Sequence, residues 1–207
     1  MDQYPGIRVH ITEESSHEIV RDYNRNLFDI IFFAGNLALD HLHMIPVLHD
    51  QLLFVIPDRF MEENPLKEFG LRSEQVRVPP AGSALRALPS LDLFRTVPFI
   101  ALSSGDLLYE QTMQLFRSEG VRPIICLNMQ QMATSYRLAC AGIGATITSD
   151  ALIKTSPPSG GGISFYRFDS PLMRRTIYAG YDKNRYVTHA MRIFLDLCHF
   201  DPKAPGS

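Results

Sequence analysis

Three things are scarce in this 207-residue chain: cysteine, net charge and long apolar runs. Its three cysteines, Cys126, Cys140 and Cys198, stand far apart, are odd in number and lie in apolar contexts. That pattern excludes a disulfide framework or a cysteine-based zinc site and predicts reduced core residues. A formal net charge of -2 and a pI near 6.4 leave no basic footprint for a polyanion. The chain alone is therefore not expected to bind nucleic acid. Its apolar runs are strand-sized, no signal peptide is legible, and a cytoplasmic location without a membrane partner is expected. No G-x-S-x-G elbow occurs to carry a Ser-His-Asp site. The run Gly160-Gly161-Gly162 lacks the Lys-Ser/Thr that would complete a phosphate loop. His41 and His43, with His49-Asp50 nearby, lack the further convergent ligands that zinc needs and read as surface residues. Arg174-Arg175 reads as a solvated corner. No catalytic residue, metal or cofactor is expected.

What is present is an ordinary globular balance, 45% hydrophobic and 20% charged residues, on a chain long enough to bury roughly 70% of its unfolded surface. Residues 7–11 (Ile-Arg-Val-His-Ile) alternate apolar and polar, the period of a strand. Ser15 and Glu18 stand in capping-box relation, and Ile19, Val20, Tyr23 and Leu27 trace one helical face. With a second strand at 28–33 this predicts a parallel pair joined by a right-handed crossover. A further strand is expected at 51–57. Residues 58–96, broken by four prolines, read as a connection with one or two helical turns. The pattern then repeats as a strand at 98–102, a helix at 107–119 and a strand at 123–127. Asn128, with Gln131 three residues on, reads as the cap of the next helix, which ends at a left-handed Gly142. Gly144 turns the chain into a strand at 145–147. After an exposed loop at 155–162 come a strand at 176–181 and a last helix from Thr188. The fold class expected is α/β, with two lobes between which the chain crosses twice.

Several of these segments resemble the effector-binding domain of LysR-type transcriptional regulators. Glu13-Glu14-Ser15-Ser16-x-x-Ile19 is similar to that family's E-G-x-S-x-x-L turn, with Glu14 where glycine is usual. Asn26 to Ile31 is similar to its G-x-L-D-x-A/G-I strand, again without the glycine. Pro98-Phe99-Ile100-x-x-Ser103-x-Gly105 looks like its P-F-I segment. Leu138 to Ala145 (LACAGIGA) matches the L-V-A-A-G-L-G-I signature, the most specific of these likenesses, and 190–196 fits the last helix. The resemblance covers almost the whole chain, and 58–96 looks longer than usual.

The resemblance implies a type 2 periplasmic-binding-protein-like fold of two Rossmann-like lobes with two crossover connections. Lobe I is expected at 1–95 plus 176–207 and lobe II at 96–175, together one effector-binding domain over 1–207. It implies a domain lacking the DNA-binding winged helix-turn-helix, so that DNA is reached only through that missing part. The expected partners are a small-molecule effector, a carboxylate, in the inter-lobe cleft, and a second copy of the chain. Pairing would use the helix at 16–27 and the region 123–141, giving a homodimer, or a tetramer in the full-length protein. The expected ligand contacts are Ser15, Ser16, Ser103, Ser104, Asn128, Met129, Gln130 and Gly144. Serine and asparagine are also the preferred helix caps, and the two roles do not exclude each other. A free-standing type 2 solute-binding protein is the alternative reading, and an enzyme using the same cleft is a third.

Overall fold

A computed structural model describes residues 4–35, 40–79 and 86–198; the side chains of Ser16, His17 and Asn24 also lie outside the described part. The chain divides into two compact units, Met1–His49 with Thr176–Ser207 and Asp50–Arg175. The expected lobe I therefore spans the first unit and residues 50–95 of the second. It is a mixed α/β chain throughout.

The first unit holds helix α1 (Ser16–Asn24), strand β1 (Ile31–Ala34), the first part of β2 (Leu42–Pro57), most of β8 (Arg174–Asp182) and helix α6 (His189–Leu197). Strand β1 pairs antiparallel with β8, from Ile31 opposite Gly180 to Ala34 opposite Ile177. Tyr23, Ile31, Phe33 and Leu42 form its small core, with Ile19, Phe28 and Tyr178 packed against them. The strand expected at 7–11 joins no ladder, so the expected parallel pair is not formed. Alternation needs a partner edge and a face to bury, and Ile11 remains 88% exposed. Helix α6 begins where the sequence suggests, and Thr188 caps it, its hydroxyl accepting from the Met191 amide.

In the second unit, β2 explains the unbroken run Leu52 to Ile56. Leu52, Phe54 and Ile56 point into one core cluster, while Leu53 and Val55 point into the other. A strand covered on both faces reads as continuous apolar sequence. Its first half is mostly exposed and includes Pro46, which is why only 51–57 reads as strand from sequence. Around β2 lie β6 (Thr146–Ser149) and β7 (Ile163–Phe168), both antiparallel to it, and β3 (Ala87–Leu88) parallel to β7. The larger cluster centres on Phe54, Phe94, Phe99 and Phe116, whose rings meet at 4.7 to 6.4 Å between centroids. The connection 58–96 carries α2 (Ser73–Arg77) and single-turn segments at 58–60, 65–69 and 92–95.

The second expected strand-helix-strand group forms as read. Strands β4 (Pro98–Leu102) and β5 (Ile124–Met129) run parallel, joined through α3 (Leu107–Ser118). Helix α4 (Met132–Cys140) follows, then β6 and a short α5 (Asp150–Thr155). Gly142 ends α4 at φ 85°, with the Gly142 amide on Ala139 O and the Ile143 amide on Leu138 O. That pair of bonds is the Schellman termination, and the left-handed position suits glycine. Cys126 departs from expectation: it is exposed on β5, whereas Cys140 and Cys198 are half-buried, and all three are free.

Candidate functional site

The carboxyl ends of β4 and β5 bring two of the expected segments together. The register sets Ala101 opposite Asn128 and Leu102 opposite Met129. Just beyond, the Ser103 amide donates to Met129 O at 2.8 Å, and the Ser103 hydroxyl donates to the same oxygen at 3.2 Å. Ser104 is exposed beside it, and Gly105 turns the chain at φ 94°. Parallel strands with helices starting beyond their carboxyl ends are where ligands bind in α/β proteins.

The capping chemistry differs from expectation at two of the three helix starts, those of α3 and α4. Helix α3 is capped by Asp106, whose carboxylate accepts from the Leu108 amide at 2.7 Å, rather than by Ser103 or Ser104. A carboxylate of the chain already occupies that positive end, so a second anion there would meet like charge. Asn128 is not a cap but lies within β5; the residue before α4 is Gln131, and no side chain caps this helix. Asn128, Met129 and Gln130 thus lead directly into a helix start without a side-chain acceptor. Such a start offers amides and partial positive charge to an external anion.

Ser15, in the first unit, caps α1 in a complete capping box. Its hydroxyl accepts from the Glu18 amide at 3.3 Å and donates to Glu18 Oε2 at 2.8 Å. The Ser15 amide also donates to that carboxylate at 3.3 Å. These bonds hold the Glu18 carboxyl below its ordinary value. Ser16 begins α1, and its side chain lies outside the described residues.

Gly144 stands at the other end of β4 from Ser103. A Cβ there would lie 2.8 Å from Pro98 O and 3.2 Å from Cys126 Sγ. The neighbouring Ala145 amide donates to Pro98 O and Ala145 O accepts from Ile100. This glycine lets two backbones approach and is remote from the Ser103–Met129 contact.

One cluster escaped the sequence reading altogether. Arg175 is not a solvated corner: its Nε lies 2.6 Å from Asp50 Oδ2, with Asp50 buried and Arg175 largely so. Burial pushes the Asp50 carboxyl up, against the opposing pull of Arg175 and Ser149. A lone carboxylate at the head of the apolar run 52–56 is the sequence signal that marks it. His41 and His43 take ring partners, Tyr23 at 6.0 Å and Tyr181 at 5.1 Å. Among the described residues no group of three or more His, Cys, Asp or Glu converges on a metal position.

Residues 1–200 match the family model described as the LysR substrate binding domain. The chain belongs to that family. It is 22% identical over 200 residues to an uncharacterized HTH-type transcriptional regulator, YcgK, of Bacillus subtilis strain 168, covering 94% of this chain. The chain spans 58% of that regulator's length. Among solved structures, the regulatory domain of CcmR from Synechocystis PCC6803, in complex with 2-PG, superposes with a TM-score of 0.74 at 17% identity, covering 95% of this chain and 84% of that one. The effector binding domain of QuiR, in complex with shikimate, gives 0.64 at 16% identity over 89% and 77% of the two chains. HinK, a LysR family regulator from Pseudomonas aeruginosa, gives 0.66 at 20% identity over 95% and 61%. These likenesses show the type 2 periplasmic-binding-protein-like fold expected from the motifs. No helix among the described residues is long and apolar enough to cross a membrane.

Proposed function

We propose that this chain is the effector-sensing and self-pairing part of a LysR-type transcriptional regulator. Its effector is a small carboxylate held at the start of α4 by Ser103, Ser104, Asn128, Met129 and Gln130. The observation that carries this reading is the start of α4. The two hydrogen bonds that Ser103 donates to Met129 O fix two strand ends side by side, next to a helix start with no side-chain cap. The relatives with 2-PG and shikimate bound support a small-molecule ligand. The chain does no chemistry on the effector and reaches DNA through another part of the regulator. An effector can shift such a protein between states only by its difference in affinity for them.

Thermal shift against a panel of small mono- and dicarboxylates, with neutral and cationic analogues as controls, tests the site. A carboxylate at about a hundred times its dissociation constant stabilises by roughly 2.7 kcal/mol, on the order of 5 to 10 °C for a chain of this size. Gln131→Asp places a carboxylate on the bare start of α4. It should leave the free protein as stable or slightly more so, yet abolish the shift, because the position is filled by like charge. A carboxylate that shifts Gln131→Asp fully, or a panel in which only neutral or cationic compounds bind, refutes the assignment.

The same reading places self-pairing on β5. This strand forms the edge of the β4–β5 pair. It leaves Ile124, Ile125 and Leu127 at 50%, 40% and 37% exposure, with Ile143 at 46%. Open apolar edges of this kind template pairing with another chain.

A further inference from the structure

The chain passes between its two units at 49/50 and again at 175/176. One ion pair stands at both breaks, Asp50 at the first and Arg175 at the second, with their side chains only 1% and 13% exposed. The other Asp50 oxygen, Oδ1, accepts from the Ser149 hydroxyl at 2.5 Å. Ser149 is in turn the cap of α5, accepting from the Ala151 and Leu152 amides. The next residues repeat the connection: Asp150 Oδ1 accepts from the Gln51 amide at 3.2 Å, and Gln51 Nε2 donates to Met173 O at 2.8 Å. Five side chains therefore stitch together the end of the first crossing, the start of the second and the head of α5.

A buried ion pair is an inefficient way to gain stability. Desolvation offsets most of its attraction, and an apolar pair of similar volume often serves as well or better. What it supplies is direction, since both carboxylate oxygens are taken and the guanidinium has a fixed partner. The strands that carry the crossings, β2 and β8, are also neighbours in the sheet.

We propose that the Asp50–Arg175 pair, held from the α5 side by Ser149, is a pin that makes the two crossings one junction, a conformational element rather than a source of fold stability. Hydrogen exchange on the whole chain, paired with thermal melting, tests it. In Asp50→Asn, amides at 47–53 and 173–178 should exchange about tenfold faster, while β4 and α3 keep wild-type rates, the pattern of a local opening. The double variant Asp50→Leu with Arg175→Met should melt at or above the wild type yet show the same loosening at both crossings. Faster exchange throughout the chain, in step with a lower melting temperature, would make the pair an ordinary stability contact and overturn the pin. Unchanged crossings in the double variant would overturn it equally. Should Asp50→Asn fail to fold, Ser149→Ala decides, since it keeps both charges. It must loosen 173–178, which it does not touch, and loosening confined to α5 refutes the proposal.

Discussion

Two residues show how a family motif becomes physics. In LACAGIGA the glycines have different tasks: Gly142 adopts φ 85° to end α4, and Gly144 admits the backbone of Pro98. Adding one methyl at Gly144 places it 2.8 Å from a carbonyl oxygen of β4, an atom that cannot swing away as a side chain would. Gly144→Ala should therefore cost about 1 to 3 kcal/mol by overpacking, a fall in melting temperature of roughly 2 to 12 °C. Urea unfolding measures it, and a loss below about 0.5 kcal/mol, the range of an ordinary surface change, would show that the strand has room to shift. Asn26 makes the complementary point. It stands where the family motif has glycine and takes φ 65°, which asparagine tolerates better than other residues with a Cβ.

Elements defined by local chemistry were legible, and those defined by distant partners were not. The apolar run of β4, the face of α3, the start of α6 near Thr188 and the Gly142 stop are each complete within about a dozen residues. Strand β7 and the six-residue α5 flank the glycine loop and are too short to build a period. Segment 7–11 has the alternation of a strand but no ladder, and the direction of β1 depends on β8, well over a hundred residues away. The same limit hid the Asp50–Arg175 pair, 125 residues apart in sequence, and left Asn128 looking like a cap when pairing with β4 draws it into β5. The capping box of α1 was legible because it closes within four residues, and it titrates. The Ser15 hydroxyl first, then the Ser15 amide, hold the Glu18 carboxyl below its ordinary 4.5. The box is therefore complete above that pH, and its contribution is lost as pH falls through the depressed folded value. An NMR titration of the Glu18 carboxyl should give a midpoint below 4.5 that returns toward it in Ser15→Ala. A midpoint at or above 4.5 in the unaltered chain would mean that the box is not formed in solution.

At the scale of the whole molecule, the open question is what covers β5. Its partner on one side is β4, and all six of its residues are half-buried or exposed. Ile124, Ile125 and Leu127 are apolar on both faces of the strand, so neither face is made for water. A second copy of the chain is the partner implied by the family resemblance, which sets the helix at 16–27 against the region 123–141, and closed two-fold pairing is the commonest assembly of identical chains. Light scattering after size exclusion should give a mass near twice 23.4 kDa for the wild type at micromolar concentration. Leu127→Asp puts a charge at the centre of the edge without touching the core clusters. It should shift the mass to a single chain while leaving circular dichroism and melting behaviour close to those of an unpaired wild type at high dilution. A wild type that stays at 23.4 kDa at every concentration would refute pairing through β5. A Leu127→Asp variant that remains paired would move the interface to another face.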